Sequence, residues 1–195
     1  MYKLCNTEQS AKRQRYIEQV FFELMKKKNY NSITITELCL ACDMPRKTFY
    51  RYFDSKDDTL YALIEHTMMD FEGFKTRSTE KNRTLKKEFE KFYLFWYENR
   101  ELLDIFHKND LFGKLFEIAI NFPINDIINI SKFLPDETHQ IKNEFFKFAV
   151  CGLTMTVIEW YKDGFRKSIS EMADISSKIL SQPIFPNFEK ITQVK

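Results

Sequence analysis

Hydrophobic residues recur through most of the chain at intervals of three and four positions, which is the spacing of one face of an α-helix. The first stripe predicts a helix over about residues 10–28, with a buried side formed by Ile17, Val20, Phe21, Leu24 and Met25. Residues 1–8 are predicted to be frayed. Further helices are predicted at about 56–76, 84–97, 99–107, 110–123, 125–133, 135–162 and 168–181. Only 4 Gly and 5 Pro leave little material for hairpins or long loops, so an all-α fold is expected.

Residues 32–56 predict two short helices separated by a tight turn. Thr34 followed by Glu37 is the capping pattern of a helix start, and the apolar side of that helix carries Ile35, Leu38, Cys39 and Cys42. Asp43 lies where the chain must turn, and Asp tolerates left-handed geometry better than most residues. Pro45 fits the first position of the second helix, because its φ is preset and its missing N–H would have no partner there.

The second of these helices is short and basic. Phe49 and Phe53, four positions apart, give it one buried stripe, and no acidic residue occurs in residues 44–53. Its other face carries three cations, Arg46, Lys47 and Arg51. A short basic helix behind a tight turn suits reading of the major groove of DNA, where cations attract phosphates and Arg reaches guanine edges. An ordinary helical hairpin with a solvated basic face is the alternative that composition leaves open.

This segment resembles the DNA-binding domain of the TetR family of bacterial transcription regulators. The matching residues keep the family's order and spacing within roughly the first 60 positions: Thr34, Leu38, Thr48, Phe49, Tyr50, Phe53, Lys56 and Leu60. The resemblance implies an all-α chain in which a three-helix helix-turn-helix domain precedes a larger helical domain for ligand binding and dimerisation. The DNA-binding residues that it implies are Thr34, Arg46, Lys47, Thr48, Tyr50, Arg51, Tyr52 and Lys56.

The domain boundaries follow from the fourth predicted helix and the polar stretch after it. Ser55 with Asp58 caps the start of this helix, which is too long to serve only the small N-terminal bundle. We expect a DNA-binding domain over residues 9–70, an effector-binding and dimerisation domain over 71–181, and a tail over 182–195. Ser168 with Glu171 caps the last predicted helix.

The long helix over residues 135–162 carries two apolar stripes, which indicates burial from two directions. Gly152 in its middle costs stability unless a close approach compensates for it. The resemblance implies that the last two helices form a four-helix dimer interface, and the residues predicted to form it are Phe145, Phe148, Gly152, Met155, Met172, Ser176 and Ile179. The alternative is that both stripes belong to the core of a single chain.

Aromatic residues make up 16% of the chain, and 19 of the 31 lie in the second predicted domain, residues 71–181. Five of them are predicted to line a cavity for a small apolar or aromatic effector, as the corresponding region does in the family: Phe71, Phe92, Trp96, Phe116 and Phe146. Simple core packing is the alternative for each of these side chains.

Charge and cysteine content add further expectations. Residues 1–60 hold 11 Lys/Arg against 8 Asp/Glu, and residues 61–195 hold 19 against 20, which modestly supports an anion-binding N-terminus. No signal peptide or membrane-spanning stretch is visible, so a cytoplasmic protein with 4 reduced cysteines is expected. The pattern Cys39-x-x-Cys42 lacks a second Cys or His pair at zinc-finger spacing, which favours core packing over a metal site.

No catalytic set of residues stands out, and we expect no cofactor, no metal and no enzymatic activity. The predicted function is a homodimeric regulator that binds a palindromic DNA operator, acting as a repressor released by a small-molecule effector. The alternative is a helical interaction protein that has lost DNA binding and acts by pairing with another regulator. The intact run Arg46, Lys47 and Arg51 favours the regulator.

Overall fold

A computed structural model describes residues 2–76, 84–121 and 142–181, and all regular structure in these ranges is helical, as predicted. The α-helices are α1 (Glu8–Lys27), α2 (Ile35–Ala41), α3 (Arg46–Phe49), α4 (Lys56–Thr76), α5 (Leu85–Glu98), α6 (Arg100–Lys108), α7 (Phe112–Asn121), α8 (Lys142–Lys162) and α9 (Ile169–Ser181), and a 3₁₀ turn spans Tyr30–Ser32. The predicted helix at 125–133, the start of the helix at 135–162 and the tail lie outside the described residues. None of the described helices is long and apolar enough to cross a membrane.

The helices form two compact units that do not follow chain order. Helices α1–α4, α6 and α7 belong to the first unit, and α5, α8 and α9 belong to the second. In the first unit α4 packs against α1 and α7, and in the second unit α5 packs along α9. The predicted domain ranges, 9–70 and 71–181, were drawn along the chain and stay a prediction.

Two of the predicted capping pairs have both of their hydrogen bonds. At the start of α4, the Asp58 N–H donates to Ser55 Oγ over 3.0 Å and the Ser55 N–H donates to Asp58 Oδ2 over 3.1 Å. At the start of α9, the Ser168 N–H donates to Glu171 Oε2 over 2.7 Å and the Glu171 N–H donates to Ser168 Oγ over 3.3 Å. Each pair satisfies N–H groups that the first helical turn leaves without a partner.

The third capping pair is only half formed. The Glu37 N–H donates to Thr34 Oγ1 over 3.2 Å, but the Glu37 carboxylate pairs with the Lys28 ammonium at 2.7 Å. Helix α1 begins at Glu8, two residues before its predicted start, because Thr7 and Ser10 cap it through a hydrogen bond of 3.2 Å from the Ser10 N–H to Thr7 Oγ1.

Three turns between helices contain residues with a left-handed backbone conformation, that is, a positive φ. Asp43 has φ 48°, which confirms the turn predicted there. Asp110, where a helix was predicted to begin, instead lies at φ 56° in the turn before α7, which starts at Phe112. Helix α8 ends at Lys162, as predicted, and the turn after it contains Gly164 at φ 68° and Phe165 at φ 57°. The Phe165 ring packs 4.7 Å from the Trp160 ring centroid, a contact that offsets its unfavourable backbone conformation.

The core of the first unit includes a buried carboxyl group that the hydrophobic pattern did not predict. Ile17, Phe21 and Met25 of α1 are fully buried, as predicted, whereas Val20 and Leu24 are only half-buried. Glu18 is 1% exposed, and its carboxylate lies 2.8 Å from His66 Nδ1 on α4. A buried carboxylate without such a partner would be strongly destabilising, so this contact is what allows a charged residue between α1 and α4.

Tyr93 lies at the centre of the second unit and is fully buried. Its hydroxyl lies 3.0 Å from Thr156 Oγ1 and 2.6 Å from Ser176 Oγ, so it joins α5 to both α8 and α9. Its ring centroid is 5.4 Å from that of Trp160, whose indole N–H donates to the Lys167 carbonyl over 2.7 Å. The buried hydroxyl is therefore fully bonded, as burial requires.

Candidate nucleic-acid interface

Helices α2 and α3 are joined by a tight turn of four residues, 42–45. The Met44 N–H donates to the Cys39 carbonyl over 3.0 Å, across the left-handed Asp43. Pro45 has φ −66° and ψ 146°, so it is the residue before α3 rather than its first residue, and α3 begins at Arg46. The prediction that α3 starts at Pro45 was therefore wrong by one residue, because the ψ of Pro45 is extended rather than helical.

One face of α3 is held in the core by two aromatic rings. Phe49 and Phe53 are both 0% exposed, and their ring centroids lie 5.5 Å apart. The chain continues past α3 as a turn, in which the N–H groups of Tyr52 and Phe53 both donate to the Phe49 carbonyl, over 2.9 and 3.1 Å. The predicted buried stripe is confirmed, and it fixes the rotation of α3 about its axis.

The predicted cations lie on α3 and in the turn that follows it. Arg46, Lys47 and Arg51 are all exposed. The Arg46 guanidinium donates to the Tyr50 hydroxyl over 3.1 Å and lies 5.9 Å from the centroid of its ring. Tyr50 is itself 38% exposed. Such an arrangement orients one Arg fork while leaving its remaining donors accessible to an anion.

The other predicted DNA-binding residues occupy more varied positions. Thr34 is exposed but uses its hydroxyl to cap α2, and Thr48 and Tyr52 are half-buried. Lys56 is also half-buried: its ammonium donates to the Tyr30 carbonyl over 2.8 Å and lies 4.2 Å over the Tyr30 ring. Burial lowers the pKa of Lys56. This lysine therefore ties the start of α4 to the α1–α2 connection, in addition to any role toward phosphates.

Sequence reasoning missed a basic groove between α3 and the start of α1. A cavity of about 650 Å³ lies between these helices and is lined on the α3 side by Thr48, Arg51 and Tyr52. Its α1 side carries two further cations, Lys12 and Arg13. Cations near the N-terminal end of a helix oppose its dipole, so their presence in the sequence was a signal that they serve another purpose.

The N-terminal segment, residues 2–7, is bonded to the residues that follow α3, so the prediction that this segment is frayed was wrong for the described residues. The Lys3 N–H donates to the Tyr52 carbonyl over 2.9 Å, and the Lys3 ammonium donates to the Tyr50 carbonyl over 2.6 Å. Lys3 also pairs with Asp54 at 2.9 Å, and Gln14 donates to the Lys3 carbonyl over 3.0 Å. These bonds satisfy carbonyls at the end of the recognition segment, and no local sequence pattern indicates them.

The two motif cysteines are packed in the core. Cys39 and Cys42 are 3% and 1% exposed and are not in a disulfide. Within the described residues, no group of three or more His, Cys, Asp or Glu side chains could hold a metal ion. Burial raises the pKa of the Cys42 thiol to about 11.

This shift makes the reactivity of Cys42 a test of its environment. At pH 8 a thiol with a pKa of about 11 is only about 0.1% thiolate, whereas an ordinary thiol is about a quarter thiolate. We expect iodoacetamide to modify Cys42 at least about 100-fold more slowly in the native protein than in 6 M guanidinium, with the rate rising as the pH approaches 11. Peptide mass spectrometry measures this rate, and the half-buried Cys5 and Cys151 are internal controls. Equal native rates at all of these cysteines would contradict the prediction.

The residues predicted for a dimer interface divide into two groups. Phe148, Met155 and Ile179 are 74%, 51% and 43% exposed, and Ile175, which the prediction omitted, is 38% exposed. Phe145 is half-buried, and Gly152 is exposed with open space where a Cβ would lie. Met172 and Ser176 are instead buried at 7% and 4%, within the second unit. The prediction grouped both kinds because a helical stripe alone does not separate two neighbouring faces of α9.

The aromatic residues predicted to bind an effector also divide between the units. Phe71 and the half-buried Phe116 belong to the first unit. Phe92 and Trp96 belong to the second unit and are 8% and 6% exposed. The side chain of Phe146 lies outside the description.

The first unit thus has the geometry of a helix-turn-helix DNA-binding domain. Residues 22–63 match the family described as bacterial regulatory proteins, tetR family. This match covers the helix-turn-helix of the first unit and supports a TetR-family transcription regulator.

Among known proteins, the chain is 26% identical over 119 residues to the HTH-type dhaKLM operon transcriptional activator DhaS of Lactococcus lactis subsp. lactis (strain IL1403). This match covers 51% of the chain and 63% of the length of DhaS. The fold resembles that of the fatty acid degradation regulator FadR from Bacillus halodurans, with 13% identity, a TM-score of 0.58, and coverage of 88% of this chain and 96% of that one. It also resembles FadR from Bacillus subtilis in complex with stearoyl-CoA, with 14% identity, a TM-score of 0.52, and coverage of 85% and 96%.

Proposed function

We propose that this protein binds a palindromic DNA operator as a homodimer and represses transcription until a small apolar or aromatic effector releases it. The observation that carries the proposal is the recognition segment, residues 46–53, in which Phe49 and Phe53 are fully buried while the three cations are exposed. Phosphate attraction and base-edge hydrogen bonds both need cations on a helix with a fixed rotation. Such a regulator acts in the cytoplasm.

Selection of bound fragments from a genomic DNA library at moderate salt tests DNA binding directly. We expect an enriched palindrome whose half-sites are separated by one helical turn, about 34–36 Å, or a multiple of it. Failure to enrich any sequence would instead favour the alternative function, an interaction protein that pairs with another regulator. A promoter–reporter assay in a deletion strain separates repression from activation, and this matters because the Lactococcus lactis relative is named an activator.

The dimer is proposed to form through the exposed apolar face of the second unit, comprising Phe145, Phe148, Gly152, Met155, Ile175 and Ile179. Phe148 at 74% exposure and Met155 at 51% are large apolar side chains about two turns apart on the same helix. Exposed apolar patches on this scale mark interaction surfaces in soluble proteins. Gly152 lies between these two side chains and leaves room for a close approach of a second helix. Met172 and Ser176 are buried within the second unit and are not proposed to contact the partner.

Phe148→Asp is expected to convert the dimer to monomer at micromolar concentration, because it places a carboxylate in the middle of an apolar interface. Sedimentation velocity measures the change. Met69→Asp is the matched control: Met69 is 47% exposed on α4 of the first unit and is not part of the proposed interface, so its substitution should leave the dimer intact. A wild-type protein that is monomeric and still binds its operator with full affinity would contradict the dimer.

The effector is proposed to contact some of Phe71, Phe92, Trp96, Phe116 and Phe146. Support for an apolar effector comes from the aromatic content and from the Bacillus subtilis FadR structure, which holds stearoyl-CoA. Stearoyl-CoA is therefore the first probe, and the readout is its effect on operator affinity. Linkage requires reciprocity: if the probe weakens operator binding by some factor, the operator must weaken binding of the probe by the same factor. Unequal factors in the two titrations would show that the probe acts in another way.

A further inference from the structure

The first unit contains a second cavity, of about 600 Å³, that the recognition surface does not use. It lies between the N-terminal segment, α4 and α7, and the residues that matter for its chemistry are Tyr2, Leu4, Tyr61, Glu65, Glu117 and Ile118. We refer to it as the α4–α7 cleft. Its volume is within the range of small-molecule sites.

The cleft is both apolar and acidic. Leu4, Ile118 and the rings of Tyr2 and Tyr61 supply apolar surface, while Glu65 and Glu117 supply carboxylates. The Asp58 carboxylate also lines the cleft, but it accepts the N–H groups of the α4 cap. None of the described residues lining the cleft is basic. A cleft with this lining attracts a positive charge, repels an anion and shelters an apolar group.

The chain itself shows how an ammonium group is held at the edge of this cleft. Lys114 extends from α7, and its Nζ lies 5.2 Å from the centroid of the Tyr61 ring. The same Nζ is 3.3 Å from Glu117 Oε2 and 3.3 Å from the Tyr61 hydroxyl, which in turn donates to Glu117 Oε1 over 2.6 Å. An aromatic face combined with a carboxylate is a general means of binding organic cations.

We propose that the α4–α7 cleft binds a small organic cation that carries an apolar group, such as an arylalkyl or alkyl amine. Glu65 and Glu117 bind the cationic end, Tyr61 offers the face of its ring, and Leu4 and Ile118 contact the apolar end. Glu117 already pairs with the Lys114 ammonium at 3.3 Å, so a bound ammonium displaces Lys114 from this carboxylate. Tyr2 and Leu4 line the cleft, so the ligand contacts the N-terminal segment directly.

The same N-terminal segment gives the cleft a route to the recognition helix. Tyr2 and Leu4 line the cleft, while Lys3 between them donates hydrogen bonds to the Tyr50 and Tyr52 carbonyls. A ligand that displaces Tyr2 loosens these bonds and changes operator affinity. This regulatory consequence rests on the proposed DNA binding, whereas ligand binding in the cleft does not.

Isothermal titration calorimetry on the full chain without DNA tests the site. The probes are phenethylammonium, the neutral 2-phenylethanol and the anionic phenylacetate, which share one apolar group and differ in charge. We expect saturable binding of one phenethylammonium per chain, with the alcohol roughly tenfold weaker or more, since it lacks the charge-assisted contacts, and phenylacetate not bound. Equal affinities for cation and alcohol, or no cation binding at millimolar concentration, would overturn the proposal.

A charge-matched pair of variants locates the binding. Glu65→Gln with Glu117→Gln should weaken phenethylammonium binding by roughly tenfold or more. The control is Glu23→Gln with Asp104→Asn, which removes the same charge from the first unit outside the cleft and should have no effect. Equal binding by both double variants would overturn the site. An operator titration with and without the probe tests the regulatory consequence. A chain that bound the probe but no DNA would contradict the proposed function, while the proposal of a binding site in the cleft would still hold.

Discussion

Replacing Arg46, Lys47 and Arg51 together by alanine is expected to abolish sequence-specific DNA binding and to leave the chain folded. All three side chains are exposed, so their removal creates no cavity. An Arg or Lys that reads a base contributes about 1–3 kcal/mol, or roughly 5- to 150-fold in affinity. The loss of three contacts should therefore lower operator affinity by roughly 1,000-fold or more. Fluorescence anisotropy with a labelled operator measures the affinity, and circular dichroism checks the fold.

A charge-matched variant separates recognition from net charge. Replacing Arg100, Lys108 and Lys162 by alanine removes the same three charges from exposed positions outside the recognition segment. Its operator affinity should stay close to that of the wild type at physiological salt, where distant charges are screened. If both triple variants lost affinity equally, binding would depend on overall charge alone. The recognition helix would then not be the element that recognises the operator sequence.

The salt dependence identifies which of the three cations contact phosphates. Each phosphate contact adds about 0.9 to the slope of log affinity against log salt concentration. A single substitution that removes a phosphate contact should lower this slope by about one and weaken binding to all sequences alike. A single substitution that removes a base contact should relax the preference at one operator position while leaving the slope nearly unchanged.

Local signals in the sequence were sufficient to predict the helix-turn-helix. Helix α4 begins and ends where its hydrophobic stripe and its Ser55 cap predict. Both signals come from residues that are close together in the sequence, so they can be read without knowledge of the tertiary fold. Phe49 and Phe53 are buried for the same reason: a four-residue spacing places two side chains on one face. The left-handed turn at Asp43 likewise depends on one residue and its neighbours.

Contacts between distant parts of the chain could not be predicted in this way. The bond from Lys3 to the Tyr52 carbonyl joins residues 49 positions apart, and the contact between Glu18 and His66 spans 48. Glu18 interrupts the hydrophobic stripe of α1, so the pattern places it outside the core although the structure buries it. The packing of α6 and α7 with the first unit rather than with α5 is also a tertiary effect.

The candidate site shows the same division between local and distant information. The cations of α3 were predicted because they lie next to the buried stripe. Lys12 and Arg13 of α1 were missed, because only the tertiary fold brings α1 beside Arg51. Lys56 was assigned to phosphate contact from the resemblance, whereas the structure also gives it a carbonyl partner on Tyr30. Its replacement by alanine will therefore change stability as well as DNA affinity, and the two must be measured separately.

Phe49→Ala is expected to destabilise the first unit by about 3–5 kcal/mol, because it leaves a cavity where a fully buried ring now packs against Phe53. Urea denaturation followed by far-UV circular dichroism measures this loss. Both tryptophans, Trp96 and Trp160, belong to the second unit, so their fluorescence reports the unfolding of that unit on the same samples. A shift in the dichroism transition without a shift in the fluorescence transition would assign the loss to the first unit.

Leu40→Ala is the matched control, since Leu40 lies in α2 of the same motif but is 81% exposed, and its truncation should change stability by less than about 0.5 kcal/mol. Operator affinity provides the second comparison. Under conditions where most of the Phe49→Ala protein stays folded, it should still bind the operator more weakly, because Phe49 fixes the rotation of the helix that carries Arg46 and Lys47. Phe49→Ala with stability within 1 kcal/mol of the wild type would show that the ring does not anchor the recognition helix, and the proposed presentation of its cations to DNA would lose its structural basis.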